Sequence, residues 1–223
     1  PSNIIEGEAK YSQLSKDLPE GKVLIVCSDG ALKRENSHNL LMCLKGRDVE
    51  YFSDVKPNPD IDYLESSIDK LKKINFKSVI GFGGGSALDT AKIFSVAMKS
   101  DLEKPLSCYF RDNKKIEWKR SLYFVAIPTT SGSGSEATQF ATVWDFRNKK
   151  KFSLDGGFLL PDKILLDPQL TLTLPRDITL FPGLDATSHA LESIWNKNAD
   201  RASNEIAYEG LSLISKSLPQ VLK

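Results

Sequence analysis

At 223 residues the chain is long enough for one large domain, or for one domain and part of a second. Its 30 basic and 29 acidic residues leave a net charge of +1, which gives no general attraction to nucleic acid or anionic lipid. Hydrophobic residues make up 40% of the sequence, yet no apolar run is long enough to span a bilayer, and the opening 20 residues are too polar for a signal peptide. Cys27, Cys43 and Cys108 lie far apart, in or beside apolar sequence and without metal-ligand spacing. They are expected to be reduced packing cysteines of a cytoplasmic protein.

Short apolar runs alternate with longer helix-like stretches, which predicts an α/β fold with a mostly parallel sheet. Strands are expected at Lys22–Cys27, Asp48–Ser53, Lys77–Phe82, Ser107–Phe110, Leu122–Ile127 and Lys163–Leu166. Ile61, Leu64, Ile68 and Leu71 recur at helical spacing and predict a helix over Ile61–Ile74. A second helix is read at Ser86–Met98, followed by an exposed charged loop at Arg111–Arg120 around Trp118. Thr142–Leu154 reads as a β-hairpin with the polar tip Arg147-Asn148-Lys149-Lys150. A domain boundary is placed near Arg176, giving an α/β domain over 1–176 and a helical segment over 177–223 with helices at Leu184–Trp195 and Ser203–Leu218. The basic run at Lys149–Lys151 fits a solvated hairpin tip better than a binding patch in so neutral a chain.

Three motifs carry chemistry. Gly83-Gly84-Gly85-Ser86-Ala87-Leu88-Asp89-Thr90-Ala91-Lys92 directly follows an expected strand. Three glycines let the backbone approach a ligand without a Cβ in the way, and the next helix aims its free N–H groups and positive dipole end at the turn. A pyrophosphate fits there, with the Ser86 hydroxyl as an extra donor; the alternative is a tight turn that binds nothing. The spacing is neither G-x-G-x-x-G nor a Walker loop. Pro128–Thr138 gathers hydroxyl and small residues after another strand, as a ligand-facing loop or a flexible linker. Asp185 and His189 sit at i and i+4, where they could share one divalent cation or simply pair with each other.

Taken in this order, with the Leu159–Pro175 segment and Gly183–Ser193, the motifs resemble the iron-containing (group III) alcohol dehydrogenase family. Ile5–Leu14 and Phe52–Pro59 resemble further elements of that family, and the likeness runs from end to end of the chain. It implies a Rossmann-like NAD(P)-binding sheet with a β-hairpin, followed by the start of an all-helical metal-binding domain. By the same resemblance Gly83, Gly84, Gly85 and Ser86 hold the cofactor pyrophosphate, and Thr129, Thr130 and Ser133 lie toward the nicotinamide. Lys151 reaches a ribose, and Asp29 faces the adenosine ribose, favouring NAD over NADP. Asp89 and Lys92 match the glycine element, with Asp89 partly structural. Asp185 and His189 match the first two ligands of Fe²⁺ or Zn²⁺.

The family carries two further histidine ligands downstream, whereas this sequence holds only His38 and His189. His38 matches no family motif and is read as a core or surface residue. The chain is therefore expected to be an incomplete member, with negligible activity alone. The implied reaction is hydride transfer between the cofactor and a small alcohol or aldehyde, with no catalytic acid or base assigned. Alternatives are a glycerol-dehydrogenase or dehydroquinate-synthase relative and a non-catalytic nucleotide-binding or assembly fragment. A homo-oligomer is left open.

Overall fold

The structure, a computed structural model, describes residues 3–8, 10–34 and 37–222. Its strands in chain order are β1 (Asn3–Glu6), β2 (Lys22–Cys27), β3 (Val49–Phe52), β4 (Phe76–Gly83), β5 (Tyr123–Pro128), β6 (Phe140–Asp145), β7 (Lys150–Asp155) and β8 (Lys163–Leu166). Six of them form a parallel sheet in the order β1-β8-β5-β4-β2-β3, while β6 and β7 make a separate antiparallel hairpin. The described residues divide into two compact units. One runs up to Thr129 and resumes over Ser135–Leu170; the other comprises Thr130–Gly134 and the chain from Thr171 onward.

In the first unit the apolar strand runs are continuous because both sheet faces are covered. Val23, Ile25 and Cys27 of β2 join a core with Tyr11, Leu14 and Leu40, from α1 (Tyr11–Asp17) and α3 (His38–Cys43). Leu24 and Val26 point the other way, into a core with Ile61, Leu64, Leu88 and Phe94. Those residues belong to α4 (Ile61–Leu71) and α5 (Gly85–Ala97), and the hairpin adds Val143 and Leu154. Helices that precede β3 thus cover one face and those that follow it cover the other. The strand order turns at β2 and β4: from β2 the chain moves outward to β3, then returns to β4 on the opposite side. Crevices at the carboxyl ends of such strand pairs are where open α/β sheets receive ligands.

Two readings of the sequence are overturned. Ser107–Phe110 is not a strand but part of α6 (Pro105–Phe110). Pro105 stands in the first helical turn, where its fixed φ and missing N–H cost nothing, and the Glu65 carboxylate accepts from the Ser107 N–H at 2.8 Å and hydroxyl at 2.7 Å. A four-residue run does not distinguish helix from strand, and the Glu65 contact with the first turn favours the helix. Around Trp118 the chain is irregular, as expected, but the indole itself is buried, edge-on to Tyr109 at 5.6 Å. β1, α1, the short α2 (Asp29–Leu32) and α3 carried no clear periodic signal, being four to seven residues long.

The hairpin is fastened by one guanidinium. Arg111 donates to both oxygens of buried Asp145, at 2.9 and 2.8 Å, and to both oxygens of Asp62 on α4, at 2.6 and 3.0 Å. Asn148 adds a backbone and a side-chain donor to Asp145. These contacts hold the carboxyls of Asp145 and Asp62 below the usual range, the Arg111 hydrogen bonds being the largest cause for each.

The second unit contains α7 (Arg176–Trp195) and α8 (Arg201–Val221), packed on each other. Asp200 caps α8 by accepting from the Ser203 N–H at 2.8 Å, while the Ser203 hydroxyl receives the Asp200 N–H in return. A Cβ at Gly183 would stand 2.7 Å from Leu218, so this glycine lets the two helices approach. Many apolar side chains here are exposed, among them Phe181, Leu184, Trp195, Ile206 and Leu213.

Candidate functional site

The glycine turn stands at the carboxyl end of β4. Gly83 ends the strand with φ +155°, and a Cβ there would lie 2.7 Å from that of Ala87. Gly81, two residues earlier, is equally confined, its Cβ position lying 2.9 Å from Ala91. Absence of side chains at 81 and 83 lets α5 lie against its own strand. Gly84 is the residue before the first helical turn, at φ −78° and ψ −174°, an extended conformation open to any residue. Gly85 and Ser86 begin α5, whose first N–H groups have no acceptor within the helix. Gly84, Gly85 and Ser86 are all partly exposed, as groups facing a ligand must be.

Two strand ends flank this turn. β5 lies beside β4, and the N–H of buried Thr129 donates to the Gly83 carbonyl at 3.0 Å. β2 lies on the other side, with Cys27 opposite Phe82. Asp29 follows but opens α2 rather than closing the strand; it is exposed and paired with Lys33 at 2.6 Å. A residue that sequence reasoning missed joins from the α4 side. Asn58, in a left-handed conformation at φ +56°, brings its N–H to 3.4 Å from the Ser86 hydroxyl. The signal was present in Pro57-Asn58-Pro59, since asparagine is among the few residues that tolerate that conformation.

Asp89 and Lys92 point away from the turn and into protein. Asp89 accepts from the Ser135 hydroxyl at 2.7 Å and the Thr142 N–H at 3.0 Å, and burial raises its carboxyl pKa despite them. Lys92 has no exposed surface; its ammonium donates to the Thr138 carbonyl, the Thr138 hydroxyl and the Phe140 carbonyl at 2.8, 3.1 and 2.7 Å. Burial pulls its pKa down to about 8, against the pull of Asp89 and Glu136. Lys151 lies on β7, exposed, with its ammonium 5.6 Å from the centre of the Trp144 ring.

Thr130 and Ser133 fall in the segment assigned to the second unit, Thr130 half-buried and Ser133 exposed. In that unit Asp185 and His189 share one face of α7, with Oδ1 and Nε2 3.6 Å apart and both side chains about half exposed. The separation suits two ligands of one cation, but two are half of a tetrahedral set. Among the described residues no group of three or more His, Cys, Asp or Glu side chains is placed to hold a metal. His38 is exposed at the start of α3. A cavity of about 540 Å³ opens beside α7 and α8, lined by Gly132, Thr179, Gly183, Ala186 and Leu218 among others; neither Asp185 nor His189 lines it.

The family model described as iron-containing alcohol dehydrogenase matches residues 1–168. A sulfoacetaldehyde reductase of Bilophila wadsworthia is 32% identical over 92% of this chain and 52% of its own length. A long-chain-alcohol dehydrogenase of Geobacillus thermodenitrificans is 36% identical over 78% of this chain and 43% of its own. The chain thus spans about half the length of the curated relatives it matches. Among solved structures, an iron-containing alcohol dehydrogenase of Thermotoga maritima superposes with a TM-score of 0.85 at 29% identity, over all of this chain and 61% of that one. A sulfoacetaldehyde reductase of Bifidobacterium kashiwanohense, in complex with NAD⁺, gives 0.88 at 25% identity, over all of this chain and 59% of that one.

Proposed function

The chain belongs to the iron-containing alcohol dehydrogenase family, and on that premise we propose that it carries the dinucleotide site of an enzyme moving a hydride between NAD and an alcohol or aldehyde. The observation that carries this reading is the glycine turn. It sits at the carboxyl end of β4, where the strand order reverses, with the N-terminus of α5 behind it. Gly84, Gly85 and Ser86 receive the pyrophosphate through backbone N–H groups, and the α5 dipole favours the negative charge. Asp29, exposed at the start of α2, accepts from the adenosine ribose hydroxyls and repels a 2′-phosphate. Thr129, Thr130 and Ser133 follow the cofactor toward the nicotinamide, and Lys151 reaches a ribose hydroxyl.

In the reducing direction a hydride leaves the nicotinamide C4 for the carbonyl carbon, and the substrate oxygen takes a proton. The chain's own task is to hold the ring at the reacting distance and exclude water. Asp185 and His189 would hold two positions of an iron ion, which would supply Lewis-acid polarisation of the substrate.

Gly84→Val tests the site. Gly84 has an extended backbone that valine adopts readily, so loss of binding reports a blocked approach rather than strain. NADH titrated by fluorescence should bind the unmodified chain and bind Gly84→Val at least about tenfold more weakly. Equal affinity in the two proteins removes the pyrophosphate from this turn.

A further inference from the structure

Thr129 and Ser135, both in the sheet unit, bracket the segment Thr130–Gly134, and each is anchored to the glycine-turn element. At its start the Thr129 N–H donates to the Gly83 carbonyl. At its end the Ser135 hydroxyl donates to Asp89, on the second turn of α5. The second anchor is extended by the Thr142 N–H on Asp89 and by the three bonds of Lys92 to Thr138 and Phe140. One face of one helix therefore fixes where the hydroxyl-rich loop ends and where β6 begins.

A burial argument says this arrangement is not incidental. An ammonium with no exposed surface is costly, and the hydrogen bonds described for it all go to neutral oxygens. Lys92 instead spends all three N–H donors on one short stretch of backbone and its threonine. A methionine or leucine would fill the same volume without desolvating a charge. What the ammonium supplies is directional: it sets the position of residues 138–140 relative to α5, and Asp89 does the same for 135 and 142.

We propose that Asp89 and Lys92 are positioning residues for the nicotinamide half of the dinucleotide: they touch no part of it, but fix Ser135 and residues 138–142, where the loop that begins at Thr129 ends. The inference rests on the dinucleotide reading above and goes beyond it. It requires the two halves of the ligand to respond differently. ADP, which reaches only the adenosine and pyrophosphate contacts, does not depend on the loop. NADH does.

The experiment is titration of ADP and of NADH into the unmodified chain and into Lys92→Met, Asp89→Ala and Asp89→Asn, with thermal melts on each. Lys92→Met and Asp89→Ala should weaken NADH about tenfold, the scale of one or two lost hydrogen bonds, and leave ADP within about twofold. Asp89→Asn keeps an acceptor for Thr142 and a polar partner for Ser135, and should recover most of the NADH affinity. Should Lys92→Met not fold, Ser135→Ala deletes the Asp89 contact from the loop side and carries the same expectation. Equal weakening of ADP and NADH, or weakening of neither in a folded variant, overturns the positioning role. If the unmodified chain binds ADP but Gly84→Val binds it equally well, the pyrophosphate reading fails first. If the unmodified chain binds neither ligand, both readings fail together.

Discussion

At the scale of the residue, the two most informative side chains are carboxylates with opposite surroundings. Asp145 is fully buried and held by a bidentate guanidinium, so its worth lies in what happens when the partner goes. Arg111→Met should cost about 3 kcal/mol in urea unfolding, since it strands a buried charge rather than merely deleting a bond. The sign with pH follows from the depressed folded-state pKa of Asp145 and, more weakly, exposed Asp62. Their contribution is present above the unfolded carboxylate value of about 4 and is lost as pH falls below it. Unfolding midpoints measured from pH 6 down to pH 3 should therefore drop, and the drop should be shallower in Asp145→Asn. Asp29 is the contrary case, exposed and paired with exposed Lys33. Asp29→Gly should leave stability nearly unchanged and narrow the preference for NAD over NADP, read as a ratio of dissociation constants. Tighter NADP than NAD binding by the unmodified chain would dispose of that role.

At the scale of the element, legibility followed length and period. The strands Lys22–Cys27 and Lys163–Leu166 agree with the sequence reading because buried parallel strands are continuous apolar runs between polar punctuation. Helix Ile61–Leu71 was legible through its apolar spacing, and its Asp60 cap, which accepts from the Asp62 N–H, marks its start. Ser107–Phe110 was misread because its fate depends on Glu65, 42 residues away, which no local pattern contains. The glycine turn was legible as a strand-to-helix turn because three consecutive glycines punctuate the end of β4 and the start of α5. The tethering of Asp89 and Lys92 was not, since a lysine at the end of a helical motif ordinarily faces solvent. The pair of helices α7 and α8 offers its own test at Gly183. Gly183→Val forces Leu218 aside and should cost about 1–3 kcal/mol of the helix pairing, seen as a lowered helical melting transition in circular dichroism.

At the scale of the whole molecule the two units differ in how much they bury. The sheet unit has cores on both faces, whereas α7 contains no buried residue and α8 only Ala207. Amides of β2, β4 and β5 should therefore exchange slowest with deuterated solvent, and those of α7 and α8 faster by orders of magnitude. Uniform protection across both units would contradict this ordering. The same contrast bears on activity. With Fe²⁺ or Zn²⁺ added, the purified chain should bind NADH yet show negligible turnover of short alcohols and aldehydes, because each metal ligand needs support around it and only two are present among the described residues. Robust turnover abolished by His189→Ala would show that the pair suffices.

The interior ammonium of Lys92 also makes the protein its own chemical clock. Surface lysines acylate readily with succinimidyl esters, but Lys92 presents no surface to a reagent. Burial both lowers its pKa and bars the reagent, so it reacts only when an opening exposes the amine. Acylation of Lys92, followed by mass spectrometry, should then report openings that separate α5 from the start of the hairpin, and ligands that hold them together should slow it.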